Sequence, residues 1–92
     1  MDIQLKTEVK ARLATAEGHI RGIARMVDED AYCVDIIKQI LAVQRALDRV
    51  NAMVLNGHLH TCVTTAIRGE NPDERERVIG ELMDIFELSR KL

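Results

Sequence analysis

Apolar residues recur along most of this chain at steps of three and four. From Gln4 to Val27 they fall at Val9, Leu13, Ala16, Ile20, Ile23 and Val27, the spacing that lines one face of an amphipathic helix. Asp28, Glu29 and Asp30 interrupt the rhythm and offer carboxylate caps for a second helix beginning near Ala31. There Ile36, Ile40, Val43, Leu47, Val50 and Val54 resume the pattern. Only Gly57 interrupts before Gly69, which is placed to close the helix in a left-handed conformation, so this helix is expected to exceed about thirty-five residues. Asn71-Pro72-Asp73-Glu74 then supplies an N-cap, a proline at the first helical position and an acid at the third. This is a capping-box-like start for a third helix carrying Val78, Ile79, Leu82, Met83, Ile85 and Phe86.

No stretch alternates with period two for long enough to demand a strand, so the predicted fold class is all-α, a three-helix protomer with a long central helix. A helix-turn-helix needs a short helix and a tight turn before its recognition helix, and the second helix has neither. Ninety-two residues allow a single domain, 1–92, and a core this small leaves a lone monomer marginal, which makes oligomerisation an expectation. No apolar run approaches a membrane span, and Met1-Asp2-Ile3-Gln4-Leu5-Lys6 does not have the build of a signal peptide. The expected location is the cytoplasm, where Cys33 and Cys62 read as thiols and not as a disulfide.

Composition narrows the function classes. The only aromatic residues are Tyr32 and Phe86, which excludes the stacking platforms of single-strand binders. Thirteen basic against fifteen acidic side chains argue against diffuse, charge-driven binding to nucleic acid. The excess acid is local: residues 1–49 carry eight charges of each sign, whereas residues 50–92 carry five basic and seven acidic ones. Lys6, Lys10, Arg21 and Arg25 fall within about 100° on the first helix, with Glu17 among them. Lys38, Arg45 and Arg49 share about 40° on the second. Such strips can meet phosphates when symmetry repeats them, although a solvated helix face is the simpler explanation of any one of them.

The scarce chemical groups are two cysteines and three histidines. His58 and Cys62, four apart on a helix, share a face and can hold one metal ion. Cys33 lies on the same helix, roughly 37 Å away at about 1.5 Å per residue. The three can meet only between two copies whose second helices run antiparallel, with a twofold axis near Ala46 and Leu47. On the helical wheel all three fall between roughly 40° and 80°, at the edge of the apolar stripe. Two thiolates and an imidazole suit Cu(I) and leave Zn²⁺ one ligand short. The competing reading is that the cysteines pack as small apolar residues and His58 is solvated. His60 points away from the pair, and His19 flanks the first helix's seam beside Arg12, where packing or a polar contact is expected.

Gly18-His19-Ile20-Arg21-Gly22-Ile23, Asp30-Ala31-Tyr32-Cys33-Val34-Asp35, Lys38-Gln39-Ile40 and His58-Leu59 with Cys62 together resemble the copper-sensitive operon repressor family, the CsoR/RcnR family. The likeness covers nearly the whole chain and points to the copper-sensing branch. It implies an antiparallel helical dimer that pairs into a homotetramer, binds double-stranded operator DNA when metal-free and releases it when the effector binds. Carried over by position, Cys33 with His58 and Cys62 of the partner chain would ligate Cu(I). Tyr32 and Glu81 would support the site from outside, a carboxylate on the free nitrogen of His58 fixing its tautomer. Arg12 and Arg49 match DNA-contacting positions, with Lys10, Arg21, Arg25, Lys38 and Arg45 as neighbours and Gln39 and Gln44 as weaker candidates.

Relatives in the family sense nickel or cobalt, formaldehyde or persulfide. A nickel or cobalt sensor adds a ligand near the N-terminus and usually ends its set in His, where this chain has Met1 and Cys62. Some nickel sensors do use Cys-His-Cys with further ligands, and His19 or the N-terminal amine could serve one. A persulfide sensor lacks the histidine, and a formaldehyde sensor does not need Cys62. Outside the family, the alternatives are a zinc-stapled helical bundle with no DNA role, which chelation would unfold, and an enzyme. The latter is disfavoured because no oxyanion-hole or substrate-cleft signal accompanies Cys33 and His58.

Overall fold

The computed structural model describes residues 1–90, Arg90 by its backbone alone. Among the described residues four α-helices and one π-turn follow in chain order: α1 (Ile3–Asp28), α2 (Cys33–His58), the π-turn Leu59–Val63, α3 (Thr64–Arg68) and α4 (Pro72–Arg90). Helical winding is unbroken from Cys33 to Arg68, so α2, the π-turn and α3 together form the long central helix that the apolar rhythm predicts. No strand occurs among the described residues. No described helix is long and apolar enough to cross a membrane. The chain divides into two compact units, Met1–Gly57 and His58–Leu92.

In the first unit α1 starts at Asp2, whose Oδ1 accepts the Leu5 amide at 2.8 Å. Its other end differs from expectation. Asp30 adopts a left-handed conformation, φ 55°, while the Asp30 amide donates to the Val27 carbonyl and the Ala31 amide to that of Met26. These two bonds close a Schellman motif. Asp30 therefore ends α1 through its backbone, and α2 begins at Cys33, two residues later than its expected start near Ala31. The Tyr32 carbonyl opens α2, accepting the Asp35 and Ile36 amides at 2.9 and 3.2 Å.

α1 and α2 form an antiparallel hairpin. His19 Nε2 lies 2.7 Å from Gln39 Oε1 near the turn. At the open end a Cβ on Gly57 would collide with the Leu5 side chain. Val9 and Ala16 of α1 and Val43 and Val50 of α2 are buried, with Ile23, Met26, Ile36 and Val54 partly so. The apolar belt of α2 is wider than α1 covers. Val34, Ile37, Ile40, Leu41 and Leu47 remain exposed, Ile37 by 55% and Leu41 by 46%.

In the second unit α4 begins as its sequence prescribes. Pro72 is the first helical residue, and Asn71 Oδ1 accepts the Asp73 and Glu74 amides at 3.0 and 3.3 Å. The carboxylate of Glu74 turns to Arg77 and so does not close the box back onto Asn71. Gly69 caps α3 in an extended conformation, φ −70° and ψ 169°, where a left-handed one was expected; its amide still donates to the Thr65 carbonyl. The core is Val63, Ala66 and Val78, with Leu82 packed against it. A three-residue connection and these contacts lay α4 back along the segment 59–68, so the chain from Val78 to Leu82 climbs toward the His58 end.

Candidate metal centre and basic strips

Each proposed ligand sits at a change in backbone winding. Cys33 is the first residue of α2, exposed as a free thiol beside the 70%-exposed Tyr32. It shares a side of α2 with the exposed apolar residues Ile37 and Ile40. His58 is half-buried at the last position of α2, and Cys62 is an exposed free thiol inside the π-turn.

The winding of that turn departs from the simple α-helix read from the sequence. Bonds from i to i+5 take more than four residues per turn, so residues four apart still fall on one side of the helix but with their angular offset reversed. The Thr64 hydroxyl donates to the Leu59 carbonyl, a side-chain bond spanning the wider turn, and the Thr61 hydroxyl lies 3.7 Å from Cys62 Sγ. π-turns concentrate at functional sites because they reposition a side chain without ending the helix. Here the repositioned side chain is Cys62. It lines an open cleft of about 450 Å³ with Thr61, Thr65, Ala66, Asn71 and Glu74.

The donor set fits a soft, thiophilic ion. Both thiols are free and accessible, and His58 and Cys62 lie on one side of one helical segment. Among the described residues, no three His, Cys, Asp or Glu side chains of a single chain converge as a metal site.

Glu81, the expected support for His58, is on α4 toward the His58 end of the second unit. Its Oε1 accepts from Arg77 Nη1. Arg77 also binds Glu74 through Nε, at 3.1 and 3.2 Å, and through Nη2. These bonds hold the Glu74 carboxyl below the usual carboxylate range and raise the affinity of Arg77 for its proton. The spacing of Glu74, Arg77 and Glu81, three and then four residues apart, is the sequence signal that marks this network.

The basic residues of the first unit divide into two groups. Lys10, Arg21, Arg25, Lys38, Arg45 and Arg49 are exposed, and Arg21 is shared with Glu17 at 3.3 Å. Arg12 is different. It is half-buried, its Nη2 pairs with Glu8 Oε1 at 3.4 Å while its Nε has no hydrogen-bond partner, and it lines a groove of about 350 Å³ with Glu8, Thr15, His19 and Ala46. Antiparallel pairing brings Arg12 to the level of Ala46 on α2. Gln39 has a structural partner in His19, and Gln44 is exposed.

Known proteins resemble this arrangement. Residues 5–87 match the family described as metal-sensitive transcriptional repressor. The copper-sensing transcriptional repressor CsoR of Mycobacterium tuberculosis strain H37Rv is 55% identical over 56 residues, 61% of this chain and 47% of that protein. The chain thus spans about half the length of that curated relative. The crystal structure of the copper-sensing repressor CsoR with Cu(I) from Geobacillus thermodenitrificans NG80-2 superposes with a TM-score of 0.88 at 34% identity, covering 98% of this chain and 91% of that one. The nickel-responsive transcriptional regulator InrS gives a TM-score of 0.75 at 35% identity, covering 94% and 93%.

Proposed function

Because the chain belongs to the metal-sensitive transcriptional repressor family, we propose that it is a Cu(I)-responsive repressor whose metal-free form binds operator DNA. The single observation that carries the reading is the disposition of ligands: free thiols at Cys33 and Cys62, with His58 beside Cys62 on one helical segment. It is supported by the likeness to copper-sensing CsoR proteins.

Cys33 of one chain joins His58 and Cys62 of its partner in an antiparallel dimer, and dimers pair into a homotetramer. The exposed apolar side of α2, Val34, Ile37, Ile40, Leu41 and Leu47, is the surface that the second copy buries. Apolar patches of this kind are unusual on a stable monomer. Residues 1–92 act as one functional unit, in the cytoplasm, with no enzymatic activity. When bound, Cu(I) supplies a soft Lewis acid that draws two thiolates and one imidazole together.

The chain's residues do the rest. Lys10, Arg21, Arg25, Lys38, Arg45 and Arg49 present charge to DNA phosphates, and Arg12 contributes from its groove beside Ala46. Tyr32 flanks Cys33, while Glu81 accepts a hydrogen bond from His58 and fixes its tautomer. DNA release then requires only that the ligated arrangement fit DNA less well than the free one, a coupling of about 1–3 kcal/mol.

A nickel-responsive reading draws on the likeness to InrS. It requires additional nitrogen ligands, and His19, the candidate on α1, is engaged with Gln39. The test is a Cu(I) titration against an operator duplex, read by fluorescence anisotropy. Affinity falls as one copper per chain is reached; unchanged affinity at that point refutes the function, and release by Ni²⁺ but not Cu(I) favours the second reading.

A further inference from the structure

Glu81 carries two demands on one flexible side chain. On the reading above it accepts the hydrogen bond of a ligated His58, yet its Oε1 accepts from Arg77 one helical turn away. Arg77 is itself divided. Its Nε and Nη2 edge lies on Glu74, toward the start of α4, and its Nη1 reaches Glu81, toward the His58 end. A guanidinium presents donors on several edges of one rigid plane, so it can keep Glu74 while it gives up Glu81. The packing of Val78 and Leu82 against Val63 and Ala66 fixes α4, so the choice between partners falls to the long side chain of Glu81.

We infer that Arg77 is a positioning residue that holds Glu81 in the metal-free protein, and that Glu81 passes from Arg77 to His58 when His58 becomes a ligand.

The direction of the exchange follows from imidazole chemistry. A ring with a metal on one nitrogen presents the other only as an N–H donor, polarised by the metal's charge. A metal-free neutral ring presents a donor and an acceptor and competes less well for the carboxylate. Ligation therefore tips a balance that Arg77 otherwise holds. The contact with Arg77 resists metal binding, and its strength sets part of the metal affinity. All three ion-pairing side chains are more than two-fifths exposed, which limits the hold to that of a surface pair. The inference rests on the proposed role of His58 as a ligand, so the test separates the two.

Wild type, Arg77→Met, Arg77→Lys, Glu81→Gln and the Arg77→Met/Glu81→Gln double variant are titrated with Cu(I) against the chelator bathocuproine disulfonate. Circular dichroism on each metal-free variant checks the helices. Arg77→Met is expected to bind Cu(I) about two- to five-fold more tightly, and Arg77→Lys to fall between it and wild type. In the Glu81→Gln background the gain disappears. The guanidinium NMR signals of Arg77 supply a readout that a merely structural role would not move. Rotation about the Cζ–Nη1 bond is hindered in the metal-free wild type and becomes freer on Cu(I) addition. Unchanged or weaker Cu(I) binding by Arg77→Met overturns the inference, as does an equal gain in the Glu81→Gln background. A wild type that takes no Cu(I) from the chelator overturns the copper reading and this inference together; a wild type that binds it beside an unchanged Arg77→Met overturns this inference alone.

Discussion

Replacing Val78 by Ala removes two methyl groups from the most buried side chain of the second unit, which is 2% exposed. The site is lined by Val63, Ala66 and Leu82, and none of these can fill the space without leaving its own contacts. Lost transfer energy is about 0.8 kcal/mol per methyl-sized group, and the residual cavity raises the total to about 2 kcal/mol. The loss should be local, because Val78 anchors α4 to Val63 and Ala66 whereas the α1–α2 hairpin has its own core at Val9, Ala16, Val43 and Val50. At about 1.4 kcal/mol per tenfold, α4 opens roughly thirty-fold more often. Hydrogen exchange read by mass spectrometry measures this directly. Amides of residues 74–88 should exchange roughly thirty-fold faster, and those of α1 should keep their wild-type rates. Equal acceleration in both units would refute the independence of the two cores, and unchanged exchange in α4 would refute the anchoring role of Val78.

Three further outcomes follow from single features. Asp30→Gly relieves a left-handed backbone that costs a non-glycine residue about 1 kcal/mol, so the midpoint of chemical unfolding should rise, with Asp30→Ala moving it the other way. Glu74 titrates below the ordinary glutamate value because of Arg77. The folded state therefore favours its ionised form, and the resulting stabilisation, full at neutral pH, is lost as pH falls through the ordinary range toward the folded value; Glu74→Gln should flatten that acid limb in a pH series of thermal unfolding. Arg45→Ala and Arg49→Ala, both exposed on the strip of α2, should each weaken operator binding and reduce the slope of log affinity against log salt by about one per lost phosphate contact, whereas a slope unchanged in both would remove the strip from the interface.

Most of the fold was legible because periodicity is a backbone-level signal. The apolar steps placed α1 and the long central helix, and Asn71-Pro72 marked the start of α4 through the chemistry of an N-cap. What escaped were features decided by local competition. A left-handed cap needs a residue that tolerates positive φ; glycine at 69 was the obvious choice, but the chain uses Asp30 because the α1–α2 turn demands it there. The π-turn has no compositional signature, since Thr61, Thr64 and Leu59 are unremarkable until the Thr64 hydroxyl is seen on the Leu59 carbonyl. At the site, residue types and spacing single out Cys33, His58 and Cys62 as the proposed ligands. The engagement of Arg12, Gln39 and Glu81 depends on side-chain geometry, which residue spacing does not specify.

On the proposed function, Cu(I) is held between two copies, by Cys33 of one and by His58 and Cys62 of the other. The most direct measurement is the copper content of an equal mixture of Cys33→Ser and Cys62→Ser chains after subunit exchange, in the presence of a competing chelator. Each mixed dimer regains one intact site, so about one Cu(I) per four chains is expected for random pairing, with none in either variant alone. No recovery on mixing, or full copper content in either single variant, would contradict it.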